Sequence, residues 1–308
     1  MLTILLSILG VYLFIVVGYM AKRQFKQEMS ERSITLLSIY FLQPFLVFWG
    51  LMQRPIDMSL VHTPLIYLGI LLLVVIPTSL LAKKLFEDNQ TRSIFSVAAL
   101  VGNTGNLGIP IGIALFGEQS IPYTTMINLA NVFFVYTVGV FYYSRGNFSL
   151  KDSLMNIVKL PILWFASIAI MANLMGLTLG SELNKILQMG AYTSIVLQLM
   201  LFGMYLYGVK IEQMNRRLMF TTFSVKFMLL PLVGGSVILL FEAVLSPMIS
   251  GLLFMEILMP LAVTNVTLSA LYQCRPAEVT ALIFMTSLLF IPILFLAIEL
   301  MRYLHWMS

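Results

Sequence analysis

Residues Gly102-Asn103-Thr104-Gly105-Asn106-Leu107-Gly108-Ile109-Pro110 interrupt a long apolar segment with glycines, amides and a proline. An interior glycine costs a helix roughly 1 kcal/mol, and proline lacks the N–H that a continuing turn needs. Apolar surroundings supply no water to the peptide groups such a break frees. It therefore survives only where protein or a cavity satisfies them. A second apolar segment is broken at Met259-Pro260-Leu261-Ala262-Val263-Thr264-Asn265. A matched pair of interruptions is the pattern of a transporter whose discontinuous helices cross at the bilayer midplane.

The composition agrees with a membrane setting. The chain of 308 residues is 60% hydrophobic and 10% charged, with a mean hydropathy of +0.96. Soluble domains carry roughly 25% charged residues, and a span needs about 20 apolar ones. Division at charged and Gly/Pro-rich punctuation predicts about ten spans by that length rule: 2–21, 33–52, 61–82, 93–117, 121–144, 154–175, 185–209, 218–241, 248–273 and 277–301. The connecting loops are too short for a soluble domain. Lys22, Arg23, Lys26, Arg32, Lys83, Lys84, Arg92, Arg145, Lys151, Lys159, Lys210, Arg216, Arg217 and Arg275 follow odd-numbered segments, whereas the other side holds only Arg54, Lys185 and Arg302. The positive-inside bias places both termini outside the cytoplasm, in a multi-pass protein of the cell (inner) membrane. The net charge of +5 then reflects loop bias and gives no sign of nucleic-acid binding. The first segment lacks a basic n-region and a small-residue cleavage site, so it reads as a retained helix.

Five spans precede Arg145 and five follow Ser153, so the second set enters the membrane from the opposite side. This predicts two inverted five-helix repeats, 1–145 and 154–308. Pro110 and Pro260 fall in the fourth span of each half, and Pro77 and Pro231 in the third. At 1.5 Å per residue both breaks lie about 15–25 Å into the bilayer, near its centre.

Pro110 and Pro260 each suit the first turn of a new half-helix, where a missing N–H costs nothing. Two half-helix N-termini aimed at the midplane would attract an anion. Asn103, Thr104 and Asn106 on one side, with Thr264, Asn265 and Thr267 on the other, could donate hydrogen bonds to it. A carboxylate accepts several such bonds with charge assistance. The plainer alternative is a pair of proline kinks repaired by neighbouring amides and hydroxyls.

Lys226 and Glu256 are ionisable residues roughly 12 Å inside their spans, and intramembrane charges are functional candidates by default. They read as a coupling site or as a structural ion pair, and Lys226 could instead snorkel to the cytoplasmic interface. Asn128 and Asn131 share a helix face and read as site-lining or as glue between helices. Gln43 and Gln198 occupy comparable spans of the two halves and could line a pore. Cys274 is the only cysteine, which excludes a disulfide framework. Neither a metal-binding His/Glu motif, a nucleophile elbow nor a Walker motif is present, so no enzyme and no cofactor is expected.

The run from Gly102 to Pro110, followed by Leu115-Phe116-Gly117, resembles the fourth-helix motif of the auxin efflux carrier family. Met259-Pro260-Leu261-Ala262 through Leu271-Tyr272, then Pro276-Ala277-Glu278, is similar to that family's ninth helix and the start of its tenth. The bacterial branch includes proteins described as malate and malonate permeases, and the fold is shared with bile-acid sodium symporters. The resemblance implies ten helices in an all-α membrane fold, with crossed broken helices four and nine. Helices one, two, six and seven would form a scaffold, and helices three to five and eight to ten a mobile transport domain. It further implies elevator-like movement of organic anions, with Asn103, Asn106, Pro110 and Pro260 contacting the ligand. The plant members' long loop between helices five and six is absent. Segment seven reads Tyr192-Thr193-Ser194-Ile195 where many relatives have a proline.

The expected partners are a small organic anion and the lipid bilayer, with a proton or sodium ion and a second copy of the chain left open. A sodium-coupled symporter of larger amphipathic anions is the alternative transport class.

Overall fold

The computed structural model describes residues 2–144, 155, 158–208 and 215–307. The expected repeat boundary between 145 and 154 lies outside the described residues, as do Arg145, Lys151 and Lys210. Helix dominates throughout. In chain order the helices are α1 (Leu2–Phe25), α2 (Glu31–Leu51), α3 (Met58–Leu85), α4 (Asn89–Val97), α5 (Thr104–Phe116), α6 (Glu118–Tyr143), α7 (Pro161–Leu174), α8 (Ser181–Leu206), α9 (Arg216–Leu240), α10 (Pro247–Leu258), α11 (Thr264–Leu271) and α12 (Pro276–Tyr303). Among the described residues, six of these, α2, α3, α6, α8, α9 and α12, are long and apolar enough to cross a membrane. The chain is thus a multi-pass membrane protein. α5, α7 and α10 are shorter apolar helices.

Local chemistry accounts for where the helices start. The side chains of Ser30, Asp88, Asn215 and Ser246 each accept an amide of the first turn that follows them, which satisfies donors that have no intrahelical partner. Pro247 and Pro276 stand in first turns, where no N–H is required. Prolines also explain irregularities inside helices. Ser38–Leu42, Thr104–Gly108, Val135–Gly139 and Val225–Leu229 are wound as π turns, and Pro44, Pro110 and Pro231 follow the first, second and fourth of them two residues later. The pyrrolidine ring displaces the carbonyl four residues back, and a single wide turn absorbs that displacement.

The chain divides into two compact units. The first comprises Met1–Val61, Gly105–Met126 and Asn156–Gly208, and the second comprises His62–Thr104, Ile127–Met155 and Val209–Ser308. Segment four is therefore shared: Asn103 and Thr104 belong to the second unit, and Asn106 and Pro110 to the first.

In the first unit α1 and α8 touch backbone to backbone. A methyl group on Gly18 would stand 1.9 Å from the Met200 carbonyl oxygen, and one on Gly203 would stand 1.9 Å from that of Ile15. Only glycine permits this approach. The buried Trp49 on α2 donates to Asn184 Oδ1 on α8 at 3.0 Å. Asn173, at the end of α7, donates to the carbonyls of Leu51 and Arg54 and accepts from the Ile56 amide.

In the second unit, buried aliphatic and aromatic side chains from α3, α4, α10 and α12 form the core, among them Ile70, Val74, Phe95, Ile257, Leu282 and Phe290. Thr78 donates to the Ser96 carbonyl and ties α3 to α4. Arg275, in a left-handed conformation before α12, pairs with Asp88 at 3.1 Å and Glu278 at 3.0 Å. Partial burial would raise the Asp88 carboxyl. The Thr91 hydroxyl and amide and the Arg275 guanidinium outweigh it and hold the group below the ordinary carboxylate range.

Gly203→Val forces a branched side chain into the Ile15 backbone. We expect a loss of stability of at least about 1–3 kcal/mol, read as a lower unfolding temperature in detergent. Gly69→Ala, whose new methyl meets open space, should leave that temperature unchanged or raise it. Equal behaviour of the two variants would contradict the packing.

Candidate functional site: the crossing of two broken helices

The two breaks meet inside the second unit. α4 ends at Val97, and the chain turns through Ala98 to Leu100 before extending over Val101, Gly102 and Asn103. α10 ends at Leu258, and Met259 adopts φ −50° and ψ 137°, the extended conformation that a following proline imposes. The extended stretches run antiparallel. Asn103 N–H donates to the Pro260 carbonyl at 2.8 Å and Ala262 N–H donates to the Val101 carbonyl at 2.9 Å, with Gly102 opposite Leu261. Pro260 is asked only for a carbonyl, so its missing N–H is harmless here.

Side chains satisfy most of what this short pairing leaves over. Asn131 on α6 donates to the Gly102 carbonyl at 2.9 Å, and Tyr67 on α3 donates to Asn131 Oδ1 at 3.3 Å. Asn265 Nδ2 reaches the carbonyls of Val101, Ala262 and Ala98 at 3.1, 3.2 and 3.4 Å. Tyr143 holds Asn265 in turn, donating to its Oδ1 at 2.9 Å. Thr286 on α12 accepts from the Leu261 amide at 3.4 Å. Thr104 donates to Asn128 Oδ1 at 3.0 Å. All of these side chains are buried.

Two groups at the crossing are not satisfied in this way. Asn103 is 3% exposed and its Nδ2 has no hydrogen-bond partner. Glu256, near the end of α10, is fully buried with neither carboxylate oxygen partnered. Lys226, in the π turn of α9, is 1% exposed. Its Nζ lies 3.4 Å from the point a Cβ on Gly102 would occupy. The Met259 and Glu256 carbonyl oxygens lie 3.6 and 3.7 Å from the same point.

Several positions differ from the sequence expectation. The first break spans 98–103 rather than reaching Pro110. Thr104 and Asn106 lie in the π turn, whereas Pro110 does sit in the first turn of the regular helix that follows it, as the sequence suggests. Pro260 lies in the extended stretch beside the Gly102–Leu261 bridge and not in the first turn of a half-helix; that turn begins with Thr264 and Asn265. The Lys226 head is buried and reaches the crossing beside Gly102 instead of snorkelling to an interface. Thr267 is exposed on α11. Gln198, in the first unit, donates to Ser194 within its own helix at 2.7 Å, and Gln43 is half-buried in α2. Tyr67, Tyr143 and Thr286 were not anticipated. Each is an ordinary residue of an apolar helix in sequence, and only the fold turns its hydroxyl toward a broken strand.

Against known proteins, the model of a family described as membrane transport protein matches residues 3–151. No curated protein matches the chain. The chain is thus similar, over the part that contains the first break, to membrane transport proteins.

The hydrogen-bond roles separate two asparagines. Asn265→Ala strips a donor from three buried carbonyls and should cost about 1–3 kcal/mol. Asn103→Ala removes an amide whose Nδ2 is unpaired, and should leave the unfolding temperature of the unliganded protein nearly unchanged. Comparable losses in both variants would contradict this assignment.

Proposed function

We propose that this chain is a secondary transporter for a small organic anion, a carboxylate in the simplest case. The observation that carries the proposal is the Asn103 amide, buried in the crossing with an unused donor. A native interior rarely leaves such a group without a partner, and a carboxylate oxygen would supply one. Supporting it are the Lys226 ammonium beside Gly102 and the N-terminus of α11, where Thr264 is half-buried. A helix N-terminus favours negative charge.

In this reading the chain has ten spans arranged as two inverted five-helix repeats, and the two breaks are the paired discontinuities of helices four and nine. Movement is alternating access of the elevator type in the cell membrane, with both termini non-cytoplasmic. The resemblance to auxin efflux carriers and to malate and malonate permeases supports a mono- or dicarboxylate substrate. Lys226 and Glu256 are the candidates for coupling, and a homodimer is compatible with the reading.

The test is the unfolding temperature of the purified protein against a panel of carboxylates. One acid should raise it, corresponding to about 2.7 kcal/mol at a hundredfold excess over its dissociation constant. Asn103→Ala should abolish that shift while retaining the unliganded stability. No shift from any acid, or an undiminished shift in Asn103→Ala, would contradict the proposal.

A further inference from the structure

The geometry points to Tyr67 as a positioning residue for the anion: acting through Asn131, its hydroxyl fixes the peptide plane that carries Asn103. The inference rests on the carrier reading above and adds a residue that governs affinity without touching the ligand.

All the groups concerned lie in the second unit. The peptide between Gly102 and Asn103 is held at both ends. Its N–H donates to the Pro260 carbonyl at 2.8 Å, and its carbonyl accepts from Asn131 Nδ2 at 2.9 Å. Gly102 has no Cβ, so its own torsions do little to resist rotation of that plane. The outside partners therefore set the orientation of the peptide, and with it the direction in which the Asn103 side chain leaves the strand. Accepting at the carbonyl also strengthens donation at the N–H of the same peptide.

Asn131 can do this in one orientation only. A carbonyl never donates, so the Gly102 oxygen requires the NH2 side of the amide. Oδ1 is then turned to Tyr67, whose hydroxyl donates to it at 3.3 Å. Tyr67 and Asn131 are both buried, at 1% and 5% exposed. A flipped Asn131 would set its oxygen against the Gly102 oxygen, and the Tyr67 proton opposes that flip. One residue earlier the same device recurs with a different weight. Tyr143 donates to Asn265 Oδ1, and Asn265 Nδ2 donates to the Val101 carbonyl at 3.1 Å. Asn265 also reaches the carbonyls of Ala262 and Ala98, which orient it without help from the tyrosine. Asn131 makes one bond at each end of its amide, and Tyr67 is one of those two restraints.

Tyr67→Phe leaves Asn131 Oδ1 without a donor and should lower the unfolding temperature of the full-length protein by a few degrees. A merely structural tyrosine would do the same, so two further readouts carry the test. Amide hydrogen exchange, followed by mass spectrometry, should become several-fold faster over residues 101–104 in Tyr67→Phe, relative to the rest of the second unit. Affinity for malate and malonate, read from their effect on the unfolding temperature, should fall roughly two- to tenfold. Asn173→Ala, which loses three hydrogen bonds in the first unit, should be destabilised with that affinity intact. Asn131→Ala should weaken binding by a similar factor, and Tyr67→Phe added to it should cause no further loss. Additive losses in that double variant would overturn the inference, as would natural exchange over 101–104 in Tyr67→Phe. Where the double variant does not fold, the single variants decide. Unaltered acid binding in Tyr67→Phe defeats this inference alone. Should neither acid bind the natural protein, the carrier reading fails for these ligands and the inference fails with it.

Discussion

A peptide group released from a helix in an apolar interior must find another partner, and the second unit is organised around that requirement. Each break alone would leave several carbonyls and amides bare, at about 1–3 kcal/mol apiece. Brought together as antiparallel strands, Val101–Asn103 and Pro260–Ala262 satisfy one another through two backbone hydrogen bonds. Asn131, Asn265 and Thr286 take up peptide groups that the strands leave, and Tyr67 and Tyr143 lock the two asparagines. The interrupted helices are therefore one structural solution and not two separate kinks.

Against this economy, the groups left unpaired carry the functional argument. Most buried polar atoms here have partners, yet Asn103 Nδ2 and both oxygens of Glu256 do not. These atoms flank a backbone that is itself fixed, so a ligand would meet a preorganised surface. The prolines have a double part. They write the breaks, and Pro110 and Pro231 each follow a π turn by two residues. Lys226 lies within such a turn.

Much of the helical layout was legible in sequence, because long apolar runs between charged punctuation have few alternatives. The breaks were legible for the same reason: glycine, amides and proline are conspicuous among leucines. Their local geometry was less so. Pro260 fits either a first helical turn or an extended bridge, and its choice depends on Asn103, which is 157 positions away in sequence. Asn265 reads as a ligand donor, but its amide is occupied by three carbonyls. Which partner an asparagine takes is settled by its neighbours in space, and sequence order says little about them. Tyr67, Tyr143 and Thr286 carried no signal at all, since tyrosine and threonine are common in apolar helices.

The most direct measurement on the central claim is a cross-link between the breaks. Gly102 and Leu261 oppose one another without hydrogen bonds between them, the register in which Cα atoms approach to about 4.5 Å and a disulfide fits. A Cβ at Gly102 meets only ordinary contacts. In a background with Cys274→Ser, the pair Gly102→Cys and Leu261→Cys should form a disulfide in the folded protein, seen by mass spectrometry as a linked peptide. Free thiols at both positions in protein that still unfolds cooperatively would contradict the crossing.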